Sequence, residues 1–137
     1  MKQFKIHSAD NAPSPVDTLL TGVEKQLGFV PNVFGIIAES SPALKAFIEL
    51  NGQFNASSFN ATSREIIQIA VSVENHCTYC VAGHSKFAQM QKVPDDIVEA
   101  VRSNQPIADS KLEALHQFTR TLINTRGVFP IFSSMLR

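Results

Sequence analysis

Apolar residues recur at helical spacing along almost the whole chain, and capping residues punctuate the runs. In "PSPVDTLLTGVEKQLGF", Leu19, Leu20, Val23 and Leu27 share one face. Ser14 offers an N-cap, Pro15 a first-turn proline and Gly28 a stop. A short apolar piece, "VPNVFGIIAES", follows. Ser41 and Pro42 then open "PALKAFIELNGQF", whose apolar residues are Leu44, Phe47, Ile48 and Leu50.

"ATSREIIQIAVSVENH" carries so little polar surface between Ile66 and Val73 that its helix is expected to be central and buried. Thr62-x-x-Glu65 fits a capping box, in which the glutamate carboxylate reaches back to the cap residue's N–H. A polar break at Glu74, Asn75 and His76 precedes the helical stretch "CTYCVAGHSKFAQMQ". Pro94 starts "PDDIVEAVRSN", with Asp95 and Asp96 in the first turn, where the helix dipole favours them. "DSKLEALHQFTRTLINTRG" closes the regular part, with Asp109 or Ser110 as cap and Gly127 as stop. No sustained period-two alternation appears, so the fold class is all-α, a single helical domain over 1–137 with an atypical tail at 128–137, "VFPIFSSMLR".

Composition narrows the function. The 137 residues are 44% apolar and 18% charged, which suits a globular core without disulfide or metal staples. Twelve basic and twelve acidic residues cancel, leaving no electrostatic footprint for nucleic acid. The N-terminal stretch lacks the apolar run of a signal peptide, and no segment approaches the roughly 18 apolar residues of a membrane span. A cytoplasmic protein with no membrane partner is expected, in a compartment that keeps thiols reduced.

The chemistry concentrates in "HCTYCVAGH", residues 76 to 84, which holds both cysteines of the chain and two of its four histidines. On a helix, Cys77, Cys80 and His84 fall within an arc of about 60°. A break just before Cys77 places both thiols in the first turn, where free N–H groups and the dipole favour thiolate. A histidine one turn beyond Cys80 completes a nucleophile beside a base. Zinc held by His76, Cys77, Cys80 and His84 has the right ligand types, but four ligands on one short stretch make a poor tetrahedron. Haem attachment needs histidine where Val81 stands, and no Gly-rich loop cradles a phosphate, so no cofactor is expected. A pair of inert buried thiols stays open. Glu65 defaults to its cap, His7 to a loose terminus, His76 to a solvated turn and His116 to a partly buried helix face.

Glu65, eleven residues, "CTYC", three residues and His84 resemble the E-x11-C-x-x-C-x3-H signature of the alkylhydroperoxidase D-like branch of the carboxymuconolactone decarboxylase superfamily. "LGFVPNVF" at 27–34, "SPALKAFIEL" at 41–50 and "SREIIQIAVSVENHCTYCVAGH" at 63–84 are similar to that branch as well, so the likeness covers about residues 12 to 127. The resemblance implies a compact helical fold in which the Glu-bearing and Cys-bearing helices pack together, and a dithiol that reduces hydroperoxides at the expense of a thiol or dithiol reductant. By position, Cys80 attacks the peroxide, Cys77 resolves, His84 deprotonates Cys80, Glu65 orients His84, and Tyr79 is an accessory residue. Oxidation is expected to join Cys77 and Cys80 within one chain, since i and i+3 side chains share a face. A homo-oligomer is expected too, from the apolar content and the resemblance. The name-giving decarboxylases lack such a cysteine pair, so decarboxylation is not implied. The competing expectation is a redox-sensing or structural interaction protein, whose pair oxidises without turnover. The tail at 128–137 departs from the family's usual continuation.

Overall fold

Every regular element of the computed structural model is an α-helix among the described residues, 4–128. The elements are α1 (Val16–Leu27), α2 (Asn32–Ile37), α3 (Ser41–Asn55), α4 (Ala61–Glu74), α5 (Thr78–Met90), α6 (Asp95–Arg102) and α7 (Ser110–Asn124). The all-α expectation holds. The tail set apart in the sequence lies, except for Val128, outside the described residues. The chain divides into two compact units, Met1–Ser57 and Ser58–Arg137.

In the first unit Val16, Leu20, Ala38 and Leu44 form the buried centre, and Phe34 meets Phe47 edge to face at 5.1 Å. Ser14 does not cap α1. The carbonyl of Pro13 takes the N–H of Val16 at 2.8 Å and closes that turn instead. α3 is capped one residue early, by Ser40, whose hydroxyl accepts from the Ala43 N–H. The "VPNVFGIIAES" piece is helical as α2. Its Gly35 is required by a close approach, because a Cβ there would sit 2.5 Å from the His7 carbonyl oxygen. His7 is therefore no loose residue: its N–H donates to Gly35 at 3.0 Å, and its buried ring meets Glu39 at 3.1 Å.

The second unit is built around α4, which packs against α5, α6 and α7. No residue of α4 is fully exposed, as its apolar run requires. Ile66, Ile69 and Ala70 join Ala88, Val93, Val101 and Ile107 in the core. Each large aliphatic side chain buried this way contributes about 1.5–3 kcal/mol. The cap of α4 is Asn60, whose side-chain oxygen accepts from the Ser63 N–H at 2.9 Å, so the Thr62–Glu65 capping box does not form. A second tie runs from α4 to α7: Glu74 accepts from Arg120 Nε and Asn124 Nδ2, each at 2.7 Å.

One device ends all four helices described in this unit. After α4, the His76 N–H reaches Val73 O at 3.0 Å and the Cys77 N–H reaches Ser72 O at 2.9 Å, the paired bonds of a Schellman motif. The same pairs recur after α5 through Lys92 and Val93, after α6 through Asn104 and Gln105, and after α7 through Arg126 and Gly127. The left-handed position is filled by His76, Lys92, Asn104 and Arg126, with φ between 53° and 59°. Glycine usually stands there, which is why these ends carry no obvious stop signal. Gly127 lies one residue beyond the place it was expected to fill.

Candidate active site

The turn through His76 sets up the site. Cys77 is at once the last residue of the motif ending α4 and the N-cap of α5, so only residues 75–77 separate two helices that run back along each other. Cys77 Sγ accepts from the Cys80 N–H at 3.3 Å. The two sulfurs are joined as a disulfide, with the Cα atoms 5.3 Å apart, so the structure shows the oxidised pair. Both cysteines are half-buried at the start of α5. The start of a helix is where the helix dipole favours negative charge.

The hairpin explains how Glu65 arrives. It lies nine residues before the end of α4, or about 13.5 Å at 1.5 Å per residue. The same distance along α5 from Thr78 reaches the level of Phe87, between His84 and Gln91. Both side chains meet the carboxylate. His84 Nδ1 stands 3.2 Å from Glu65 Oε2, and Gln91 Nε2 donates to Glu65 Oε1 at 2.6 Å. A carboxylate only accepts, so His84 donates through Nδ1 and its Nε2 is left bare in the neutral ring. Glu65 is buried, whereas the His84 side chain keeps 24% of its surface in solvent. The Phe87 ring packs edge-on against the imidazole, 5.8 Å between centroids.

Glu65, Cys77, Cys80 and His84 thus lie along one hairpin, with Glu65 on His84 and His84 one helical turn beyond Cys80. Tyr79, between the cysteines, is 51% exposed. His76 is exposed in its turn. Among the described residues no group of three or more His, Cys, Asp or Glu is placed to hold a metal ion.

Gln91 escapes a sequence reading because glutamine at a helix end signals nothing by itself. The only pointer is its spacing of seven from His84, which puts both on one face of α5.

A second His–Glu pair stands deeper in the same unit. His116, on α7, is wholly buried rather than partly so. Its Nδ1 is 3.6 Å from Glu113 Oε2, beyond hydrogen-bond range, and neither ring nitrogen has a hydrogen-bond partner among the described residues. Burial pushes the imidazole below its ordinary pKa, and the neighbouring Glu113 carboxylate offsets this only in part. Glu113 is itself held below the usual carboxylate range by the Ile107 N–H and then by Gln117. Glu74 is held down by Arg120 and Asn124. No helix among the described residues is long and apolar enough to cross a membrane.

Comparison with curated proteins returned no match. The profile of the carboxymuconolactone decarboxylase family matches residues 42–119, which span α4, α5 and α6, the hairpin with all four site residues, and most of α3 and α7. The chain belongs to the carboxymuconolactone decarboxylase family.

Proposed function

We propose that this protein is a thiol peroxidase of the alkylhydroperoxidase D-like kind, a dithiol–disulfide oxidoreductase that uses Cys77 and Cys80. The observation that carries the reading is the Glu65–His84 contact one turn from Cys80. A bound imidazole with a bare Nε2 beside a helix-start thiol is the arrangement of an activated nucleophile.

The reduced enzyme begins with two thiols. His84 Nε2 takes the Cys80 proton, directly or through a water. The Cys80 thiolate attacks the outer peroxide oxygen, the O–O bond breaks, and an alcohol leaves with the proton that His84 returns. Cys80 is now a sulfenic acid. The Cys77 thiol attacks its sulfur, water leaves, and the Cys77–Cys80 disulfide forms. A thiol or dithiol reductant supplies the two electrons and two protons that restore the starting state. Glu65 holds the imidazole in the tautomer that accepts at Nε2 and stabilises the transient imidazolium. Tyr79, in the same first turn, is an accessory residue of the site. The cycle needs no bound cofactor, and it fits a cytoplasmic homo-oligomer in an antioxidant role.

Steady-state consumption of cumene hydroperoxide with dithiothreitol as reductant tests the proposal. Many turnovers per chain, abolished in Cys80→Ser, are expected. Oxidation of the pair without turnover would replace the peroxidase by a redox-sensing or structural protein.

A further inference from the structure

We propose that Gln91 is a positioning residue for the thiol chemistry, acting through Glu65; the inference rests on the peroxidase reading of the same site. The side-chain amide of Gln91 makes two contacts through its nitrogen. It donates to Glu65 Oε1 at 2.6 Å and to the Phe87 carbonyl at 3.3 Å. Both acceptors demand the NH2 end, so the orientation of the amide is set by its partners.

The consequence for Glu65 is geometric. A buried carboxylate with one partner can rotate about its last torsion and exchange its two oxygens. With Oε1 claimed by Gln91, Oε2 is the oxygen left facing His84 Nδ1, where it stands at 3.2 Å. The amide also gives the buried charge a donor in place of water, without adding a charge that would compete with the imidazolium. Gln91 is held in turn by its place at the C-cap of α5, where its own N–H returns to Phe87 O at 3.0 Å and the Lys92 turn begins. A neutral donor on α5 and a carboxylate on α4 together register the hairpin at the level of the base.

A hydrogen bond to a charged group is stronger than one between neutral groups. Part of that strength is retained when Glu65 re-pairs with solvent. Gln91→Leu is therefore expected to slow Cys80 alkylation by iodoacetamide, and peroxide turnover, about 3- to 10-fold near pH 7, with KM for peroxide unchanged. The loss should shrink as pH rises and hydroxide supplies the thiolate. A spectroscopic readout separates positioning from general loosening. In oxidised wild type, the ring 15N shifts of His84 should show the Nδ1–H tautomer predominating, and in Gln91→Leu a mixture of both tautomers.

A double-mutant cycle completes the test. In a Glu65→Leu background, adding Gln91→Leu should change the alkylation rate by less than twofold, because the group it serves is gone. Wild-type rates and unchanged His84 shifts in Gln91→Leu, alongside slow His84→Ala and Glu65→Leu, would overturn the role of Gln91 and leave the peroxidase reading standing. Additive losses in the cycle would also overturn it. Normal alkylation in His84→Ala would instead remove both, since no base would remain for Gln91 to position.

Discussion

Two histidine–glutamate pairs stand in one helical unit among the described residues, and the proposed function assigns proton transfer to only one. His84 meets Glu65 at 3.2 Å with a quarter of its side chain open to solvent; His116 lies 3.6 Å from Glu113 with 1% open. Glu65 spends its second oxygen on the neutral amide of Gln91, leaving one for the imidazole. Glu113 accepts from the Ile107 N–H and from Gln117, and stands too far from His116 for a hydrogen bond, so the buried ring has no hydrogen-bond partner among the described residues. One imidazole is fixed by a hydrogen bond at the edge of a reactive turn. The other is held neutral in the core by burial. Under the proposed function, the same two residue types serve chemistry or packing according to access and to whether the carboxylate lies within hydrogen-bond reach.

The sharpest way to break this contrast is to exchange the two histidines' fates. His84→Ala is expected to slow peroxide attack about 10²–10⁴-fold at neutral pH, the usual worth of a general base, with part of the rate returning as pH rises. His116→Leu should leave that rate within twofold of wild type. Stopped-flow oxidation of the reduced proteins gives both values, and equal losses in the two variants would erase the distinction.

Glu65→Gln comes next, with about a tenfold loss, or 1.4 kcal/mol of barrier. Gln can still accept from His84, yet it supplies no charge for the imidazolium. Asn60 caps α4, so this change should not act through the cap. A Glu65→Gln variant with normal alkylation at every pH would reduce the residue to a packing role.

The buried pair predicts a stability effect instead. His116 has an ordinary pKa of 6.5 unfolded and a lower one folded. Above 6.5 both states are neutral and this group gives no slope. Below it the unfolded chain takes a proton that the folded chain refuses, so stability falls as pH drops toward the folded value. Glu74 and Glu113 have folded values below 4.5, so their contribution is present above that pH and is lost only as pH falls further. Urea midpoints from pH 7.5 to 5 should decline in wild type and stay flat in His116→Leu, which at pH 7 should lie within about 1 kcal/mol of wild type because no hydrogen bond is removed. Parallel declines would place the titrating group elsewhere.

The cysteine turn was legible from sequence because Cys77, Cys80 and His84 sit on one helix, where spacing alone settles which face they share. Glu65 was not. Its neighbour Thr62 offers a plausible cap three residues away, and linear spacing does not tell how far the chain doubles back. That depends on the Schellman turn at His76, which lacks the glycine that usually announces it. The depth of His116 was hidden similarly, because a polar residue on a helix face reads as peripheral until the packing of α4 and α7 is known. His7 looked loose for want of a visible partner, and only the close approach at Gly35 supplies one.

The smallest expected effect belongs to the turn. His76→Gly removes a side chain from a left-handed position that costs a non-glycine residue about 1 kcal/mol. Thermal unfolding of the variant should show a gain of that order, with alkylation of Cys80 unchanged. A fall in reactivity would draw His76 into the chemistry from which its exposure separates it.

Thiol counting after a single dose of peroxide tests the central claim most directly. The fully reduced protein, given one equivalent of cumene hydroperoxide, should fall from two titratable thiols per chain to none, with a Cys77–Cys80 bridge in its peptide map. Cys77→Ser should stop at a sulfenic acid on Cys80, and Cys80→Ser should keep its remaining thiol. Two thiols surviving in the wild type, or loss of the Cys77 thiol in Cys80→Ser at the wild-type rate, would contradict the account.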